Sequence, residues 1–443
     1  MSVVARTLGV EDVSFLRSVD VQLILLVSAV SSMGAIASPA LPAMSDALGV
    51  GPARIGLVFT AYTLPAIVAL PLVGVVADVY SRRAVLVPGL LLFGAAGLAV
   101  GLVSDFRLVL VLRALQGVGY VSFNALTVAL LGDRLSGEAE TAAQGVRVLL
   151  NKSSGFVGPA VAGALAAVAW NYPFFLFGLA IPVGLLVAVT LGPAADDDAT
   201  DGAVGAADGN EADDGNDADD GNDADDDHPA EAENRRSVRR YLGEMADLVR
   251  DPFIAAVLAA GFFRMVMKYG LYAFLALAVV SRYGGSVATA GLLVGLYSLV
   301  GAVAASQSAR LIGALSHAYA LVLGFAIAAA ALLAFPLVGG LAGVVVLVLV
   351  HGAGEGIINP VHKSLMSQSV ADDVRAGLVT TNAMVQDAAK TVTPVVLGAL
   401  LVALGGAAYG QLFMVTGAVV LVATAVGFVA LLAGDASPRR ASL

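Results

Sequence analysis

RALQGVGYVSFNAL (residues 113–126) and VLVHGAGEGIINPV (residues 348–361) lie 235 residues apart and align without a gap. Gly117 meets Gly352, Gly119 meets Gly354 and Asn124 meets Asn359. The same shift carries GPAVAGAL (158–165) onto TPVVLGAL (393–400), matching Pro159 to Pro394 and Gly163 to Gly398. Both stretches set polar groups in apolar surroundings: Arg113 and Gln116 in the first, His351 and Glu355 in the second. An ionised side chain at the centre of a bilayer costs about 3 kcal/mol on insertion scales. Something in the fold must compensate for it, and it must do so in both halves.

The bilayer follows from composition. The 443 residues are 58% hydrophobic and 13% charged, about half the usual charged share of ~25% in soluble domains. Mean hydropathy is +0.88. No soluble domain hides that much apolar surface, so the chain reads as an all-α integral membrane protein. A span needs about 20 apolar residues at 1.5 Å rise each. That ruler places spans 1–6 at 18–42, 52–78, 84–103, 107–131, 142–168 and 173–192. Spans 7–12 follow at 253–280, 286–309, 317–337, 341–366, 376–404 and 408–434. The polar N-terminus argues against a cleaved signal peptide and for insertion directed by span 1.

Twelve spans and one repeat imply two pseudo-symmetric six-helix bundles, 1–193 and 251–443, joined by a linker at 194–250. The linker holds 17 Asp or Glu between residues 194 and 234 and no Lys or Arg, which leaves 17 acids against 24 bases elsewhere. The net charge of −10 therefore belongs to the linker and is no guide to the solute. Its ADGNEADDGNDADDGND run is the composition of a disordered segment, and the order D-x-[DN]-x-[DN]-G of a calcium loop is not met. With both termini inside, fourteen loop arginines face the cytoplasm and three (Arg54, Arg107, Arg282) face outward, which predicts an N-in, C-in protein of the cell membrane. Trp170 and Tyr172 then sit at the outer interface.

Several chemistries drop out. The chain has no cysteine, so it can form neither disulfides nor thiolate sites. Its four histidines are scattered without an HExxH pair, and no G-x4-G-K-[ST] loop is present, so neither a zinc enzyme nor an ATP-driven pump is indicated. No cofactor and no nucleic acid are expected. A parallel repeat about an axis along the membrane normal places a site between the halves near the midplane and lets them rock around it.

Three motifs resemble the major facilitator superfamily, and in particular its twelve-helix drug:proton antiporter families. GVVADVYSRR (74–83) is similar to G-x-x-x-D-x-x-G-R-R, with Gly74, Asp78, Arg82 and Arg83 in place and Ser81 for the second glycine. Span 4 carries R-x-x-Q-G-x-G as Arg113, Gln116, Gly117 and Gly119. Span 5 resembles G-x8-G-x3-G-P-x2-G-G through Gly145, Gly158, Pro159 and Gly163, with Ser154 and Ala162 at two glycine positions. The resemblance covers all twelve spans. It implies the superfamily fold, a cytoplasmic gate in which Asp78 pairs with a neighbouring helix end, and close packing of the halves along span 5. Plain positive-inside anchoring explains Arg82 and Arg83 equally well, but not the acid before them. The second-half copy, ARLIGALSH (309–317), keeps only Arg310.

The polar residues inside spans are candidates for a solute and proton pathway: Arg113, Gln116, Asn124, Lys152, Arg264, Lys268, Glu355, Asn359, Asp387 and Lys390. Arg113 is roughly 9 Å below the outer surface, within snorkelling reach, whereas Glu355 is roughly 20 Å in. Pro360 is read as breaking span 10 and freeing carbonyls toward a wet space. Lys152 falls opposite Asp387 under the shift, so a bridge between halves competes with a local Asp387–Lys390 pair one turn apart. All four lysines (152, 268, 363, 390) lie within spans. Counting Arg113, Arg147, Lys152, Arg264, Lys268 and Lys390 against Glu355 and Asp387 leaves a positive pathway, which suits an anionic or amphipathic solute. The expected activity is proton-coupled efflux by a functional monomer, not an enzyme. Anion:proton symport for uptake is the rival, and a membrane scaffold or sensor would leave the buried charges unexplained.

Overall fold

The computed structural model describes residues 14–124, 126–191, 250–368 and 372–435. The acidic segment up to residue 249 lies outside the described residues, as does the calcium-loop alternative on it. Among the described residues every regular element is a helix. Ten helices among the described residues are long and apolar enough to cross a membrane. Span 2 is Leu57–Val79, span 3 Arg82–Val100, span 4 Phe106–Arg134 and span 6 Tyr172–Thr190. In the second half, span 7 is Pro252–Ser281, span 8 Val287–Ala305 and span 9 His317–Leu333. Span 10 is Leu341–Gln368, span 11 Asp372–Ala403 and span 12 Tyr409–Asp435.

The two remaining spans depart from plain apolar helices for readable reasons. Span 1 is not one helix over 18–42 but two, Val19–Ser31 and Ala37–Ala47, joined by a tighter 3-10 turn at Ser32–Ile36. Gly34 favours the helix poorly, the Ser31 hydroxyl donates back to the Ser28 carbonyl at 2.6 Å, and Pro39 and Pro42 each lack an N–H for the ladder beyond. Span 5, Gly137–Val168, is 32 residues long, and its first half carries Glu138, Glu140, Arg147 and Lys152 among apolar residues. Pro360, by contrast, does not break span 10, which stays α-helical through it. A proline removes one ladder bond, and packing on both sides of it holds the helix together.

The 235-residue shift survives as packing. A Cβ added at Gly117 would lie 1.9 Å from the Tyr62 carbonyl oxygen, and one at Gly352 would lie 2.7 Å from that of Tyr297. Tyr62 and Tyr297 are themselves 235 apart. Likewise Gly119 packs on Gly89 and Phe93, and Gly354 on Gly324 and Ala328, each pair matched by the same shift. Glycine is required here because backbone meets backbone, which is how helices associate closely where no hydrophobic drive separates lipid from protein.

The halves meet along crossings concentrated at one end. Gly163 on span 5 faces Gly291 on span 8, where an added Cβ would fall 2.7 Å from the facing Cα. The equivalent contact sets Gly56 against Pro394, and Gly398 on span 11 against Ala53 just before span 2. Thr60 donates to the Thr391 carbonyl at 2.9 Å, and the Ser38 hydroxyl to that of Tyr272 at 2.5 Å. All these contacts lie in the halves of the spans away from the SRR loop.

Candidate functional site

A cavity of about 910 Å³ separates the halves. It begins beneath the sealed crossings, where Tyr62, Tyr269 and Tyr272 line it, passes Leu70 midway along span 2 and runs to Ser367 and Val379 toward the SRR-side ends of spans 10 and 11. The protein is therefore closed at one face and open at the other. That is one of the two states alternating access needs.

Spans 7, 10 and 11 bring the central charges together. Arg264 Nη1 donates to Glu355 Oε1 at 3.0 Å, and Arg264 Nη2 donates to Gln386 Oε1 at 2.7 Å. Both members of the pair are buried, at 6% and 8% side-chain exposure, yet Glu355 and Gln386 line the cavity. Removing one partner of a pair held this dry leaves an uncompensated charge. Next to Gln386 on span 11, Lys390 Nζ donates to Asp387 Oδ1 at 2.5 Å. The sequence left a Lys152–Asp387 bridge open; the structure forms the local pair instead, because one helical turn already brings Lys390 to the carboxylate.

Lysine is distributed unlike any other residue type. All four lysines of the chain, Lys152, Lys268, Lys363 and Lys390, line this one cavity. Only Lys390 has an ion-pair partner among the described residues. Lys268 lies with its ammonium 5.7 Å from the centre of the Tyr272 ring. Six aromatic rings complete the lining: Phe59, Tyr62, Tyr120, Tyr269, Tyr272 and Tyr297. They touch in sequence, with centroids 5.5 Å apart for Tyr62–Tyr120 and 5.9 Å for both Tyr269–Tyr272 and Tyr272–Tyr297.

Arg113 and Gln116 are placed elsewhere. Both are wholly buried and outside the cavity lining. Arg113 Nη1 donates to Gln116 Oε1 at 2.5 Å and Nε to the Val58 carbonyl at 3.3 Å. The guanidinium lies 4.4 Å from the centre of the Tyr62 ring, so an aromatic face and a carbonyl compensate the charge that the sequence left unexplained. Arg113 therefore touches the cavity only through Tyr62, and its neighbour is not Glu355. The position matching Glu355 in the first half is Tyr120, which does line the cavity. Arg147 also drops out of the lining, its Nε donating to Gln144 at 2.8 Å. Asn359 is half-buried and outside the lining.

The motif residues serve within and between halves. Arg82 pairs with Asp133 at the end of span 4, and Arg83 donates to the Ala188 carbonyl on span 6; both contacts stay in the first half. The side chains of Asp78 and Asn124, and the surroundings of Gly74, lie outside the described residues. On span 5, Pro159 and Gly163 lie at the crossing with span 8, and Gly158 faces Ile36 in the 3-10 turn of span 1. A Cβ at Gly145 would meet nothing within 4 Å. The lining residues that sequence reasoning passed over include Gln386, Phe59, Tyr62, Tyr269 and Tyr297. Gln386 was detectable as the repeat mate of Asn151; the aromatic lining had no polar signal to betray it.

Residues 23–341 match the family model of the Major Facilitator Superfamily. The multidrug transporter protein MdtP of Bacillus subtilis is 28% identical over 157 residues, 35% of this chain and 28% of that protein. The bacillibactin exporter of the same organism is 29% identical over 143 residues, 31% of this chain and 36% of that one. The putative multidrug resistance protein MdtD of Escherichia coli is 33% identical over 159 residues, 35% and 32% of the two chains. The matched stretch thus spans about a third of these relatives. Among solved structures, a bacterial homologue of the human lysosomal transporter Spinster, inward-facing and unoccupied, superposes with a TM-score of 0.72 at 16% identity. That superposition covers 95% of this chain and 99% of the other. A POT family transporter bound to 5-aminolevulinic acid gives 0.70 at 13% identity, covering 95% and 96%. With the family model on most of its length and this fold around a central cavity, the chain belongs to the Major Facilitator Superfamily: it is a multi-pass membrane transporter of twelve spans, and not an enzyme.

Proposed function

We propose that this transporter exports small organic anions or amphipathic acids and couples that movement to protons through Glu355. The observation that carries the reading is the Arg264–Glu355–Gln386 cluster at the cavity wall. An ionised Glu355 occupies the arginine; a proton on Glu355 weakens that hold and leaves a cation to face the solute. One carboxylate thus ties proton binding to the field that an anion meets, so the cluster marks a coupling site and leaves the direction of coupling to other features. Export is favoured by the names of the curated relatives and by the span 5 motif. The SRR side is taken as cytoplasmic, with both termini inside, the halves spanning 1–193 and 251–443 around the linker, and the protein working as a monomer in the cell membrane.

The same cluster favours a second reading. Protonating Glu355 adds positive charge to the cavity, so proton and anion bind together more readily than apart, which is the logic of symport. Flux in proteoliposomes decides between the two. With an imposed pH gradient, export predicts that anion and proton move in opposite directions, and symport that they move together. Gradient-driven transport that survives unchanged in both Glu355→Gln and Asp387→Asn removes these carboxylates as coupling groups and sinks the proton assignment.

A further inference from the structure

We infer that the cavity is built for an aromatic solute carrying two or three negative charges, not for a monoanion. The inference rests on the anion reading above and specifies its substrate class. Both acids lining the cavity are already engaged, Glu355 by Arg264 and Asp387 by Lys390. Three lysines remain without an ion-pair partner among the described residues: Lys152 on span 5, Lys268 on span 7 and Lys363 on span 10. Among the described residues their surplus of three positive charges has no counterpart on the walls. Lys363 is exposed and the other two are half-buried, so all three ammonium groups are accessible to a ligand.

Placement distinguishes them from a general positive field. Lys152 and Lys268 come from opposite halves at similar depth, about 22–24 Å along their helices from the SRR-side ends. Lys363 is about 8 Å from that end of span 10, nearer the mouth. Two charges can therefore be met at the midplane and a third on the way in. The lining tyrosines and Phe59 sit at the closed end of the same space, and their ring faces suit a flat π-system. About 910 Å³ falls within the range of pockets that enclose a drug-sized ligand. A monoanion would leave two ammonium groups uncompensated in a space shielded by low-dielectric walls. A lipophilic cation would face three like charges.

A pyrene series tests this with ring size held constant: pyrene-1-sulfonate, a pyrene disulfonate, 8-hydroxypyrene-1,3,6-trisulfonate and pyrenylmethylammonium. Binding to the full chain in nanodiscs of zwitterionic lipid is read by fluorescence or calorimetry. Zwitterionic lipid keeps anionic headgroups from competing for the same lysines. The expected result is a ladder, with affinity rising about tenfold per added sulfonate up to three, the scale of a charge-assisted contact. The ammonium compound should not compete. Lys363→Gln and Lys268→Gln should each lower trisulfonate affinity about tenfold and leave the monosulfonate within about threefold. Equal affinity for the mono- and trisulfonate, or tighter binding of the cation, overturns the inference. If the ladder is absent while pH-driven monosulfonate flux persists, this inference fails and the proposed function stands. If the ladder appears without pH-driven flux of any anion, the substrate class stands and the coupling fails.

Discussion

Gly291→Ala should shift the balance between the two states of the transporter while leaving each half folded. A Cβ at Gly291 would lie 2.4 Å from the Pro159 carbonyl oxygen and 2.6 Å from Gly163 Cα. Both obstacles are backbone, so no side-chain rotation relieves them, and spans 5 and 8 must separate at that point. Overpacking of this kind costs about 1–3 kcal/mol. The crossing joins the halves where this structure is sealed, so the cost falls on this state and is relieved when that face opens. A cost of about 1–3 kcal/mol corresponds to a population shift of about 5–150-fold. The absence of cysteine makes the measurement clean. Spin labels on Ser136→Cys and Ala309→Cys, both exposed beside the open mouth on opposite halves, report its width by electron–electron resonance. Ser136 makes no side-chain capping bond that the label would disturb. The expected outcome is growth of the short-distance population in Gly291→Ala. Gly354→Ala is the control: its Cβ would lie 2.6 Å from the Gly324 carbonyl oxygen, a clash inside one half that burdens both states alike. If Gly291→Ala lowers thermal stability as Gly354→Ala does and leaves the distances unchanged, the crossing is ordinary packing and the reasoning is wrong.

The buried pair and the buried arginine give two more expectations. Arg264→Met strands Glu355 and should cost about 3–5 kcal/mol, whereas adding Glu355→Leu to it should return most of that loss. Thermal unfolding in detergent, followed by intrinsic fluorescence, checks the cycle; equal losses in the single and double variants would show that the pair does not couple. Arg113→Lys keeps the charge but cannot reach Gln116 Oε1 and the Val58 carbonyl with one planar fork. It should cost about 1–3 kcal/mol in the same assay, and a neutral result would mean that position is plain positive charge.

The fold was legible because membranes simplify the physics. Hydropathy marks the spans, and the 235-residue repeat marks the two halves. The repeat aligns Gly117 with Gly352, and the packing gives them matching partners, Tyr62 and Tyr297. Span 1 was read as one helix because its residues are apolar enough; the 3-10 turn at Ser32–Ile36 depends on local hydroxyl, glycine and proline chemistry that hydropathy does not register.

What the sequence determined by itself is what depends on neighbours along the chain: helix length, the repeat, and the presence of charged residues at membrane depth. Which charges meet is a matter of helix rotation and crossing, and only the tertiary structure decided it. Arg113 and Glu355 lie on matching stretches, yet Arg264 on another span holds that carboxylate at 3.0 Å. Arg113 instead turns onto Tyr62. Lys390 takes Asp387 from within its own turn, leaving Lys152 unpaired. Coulomb attraction between buried charges falls with distance and is settled by contact, and contact between spans distant in sequence exists only once the helices have packed.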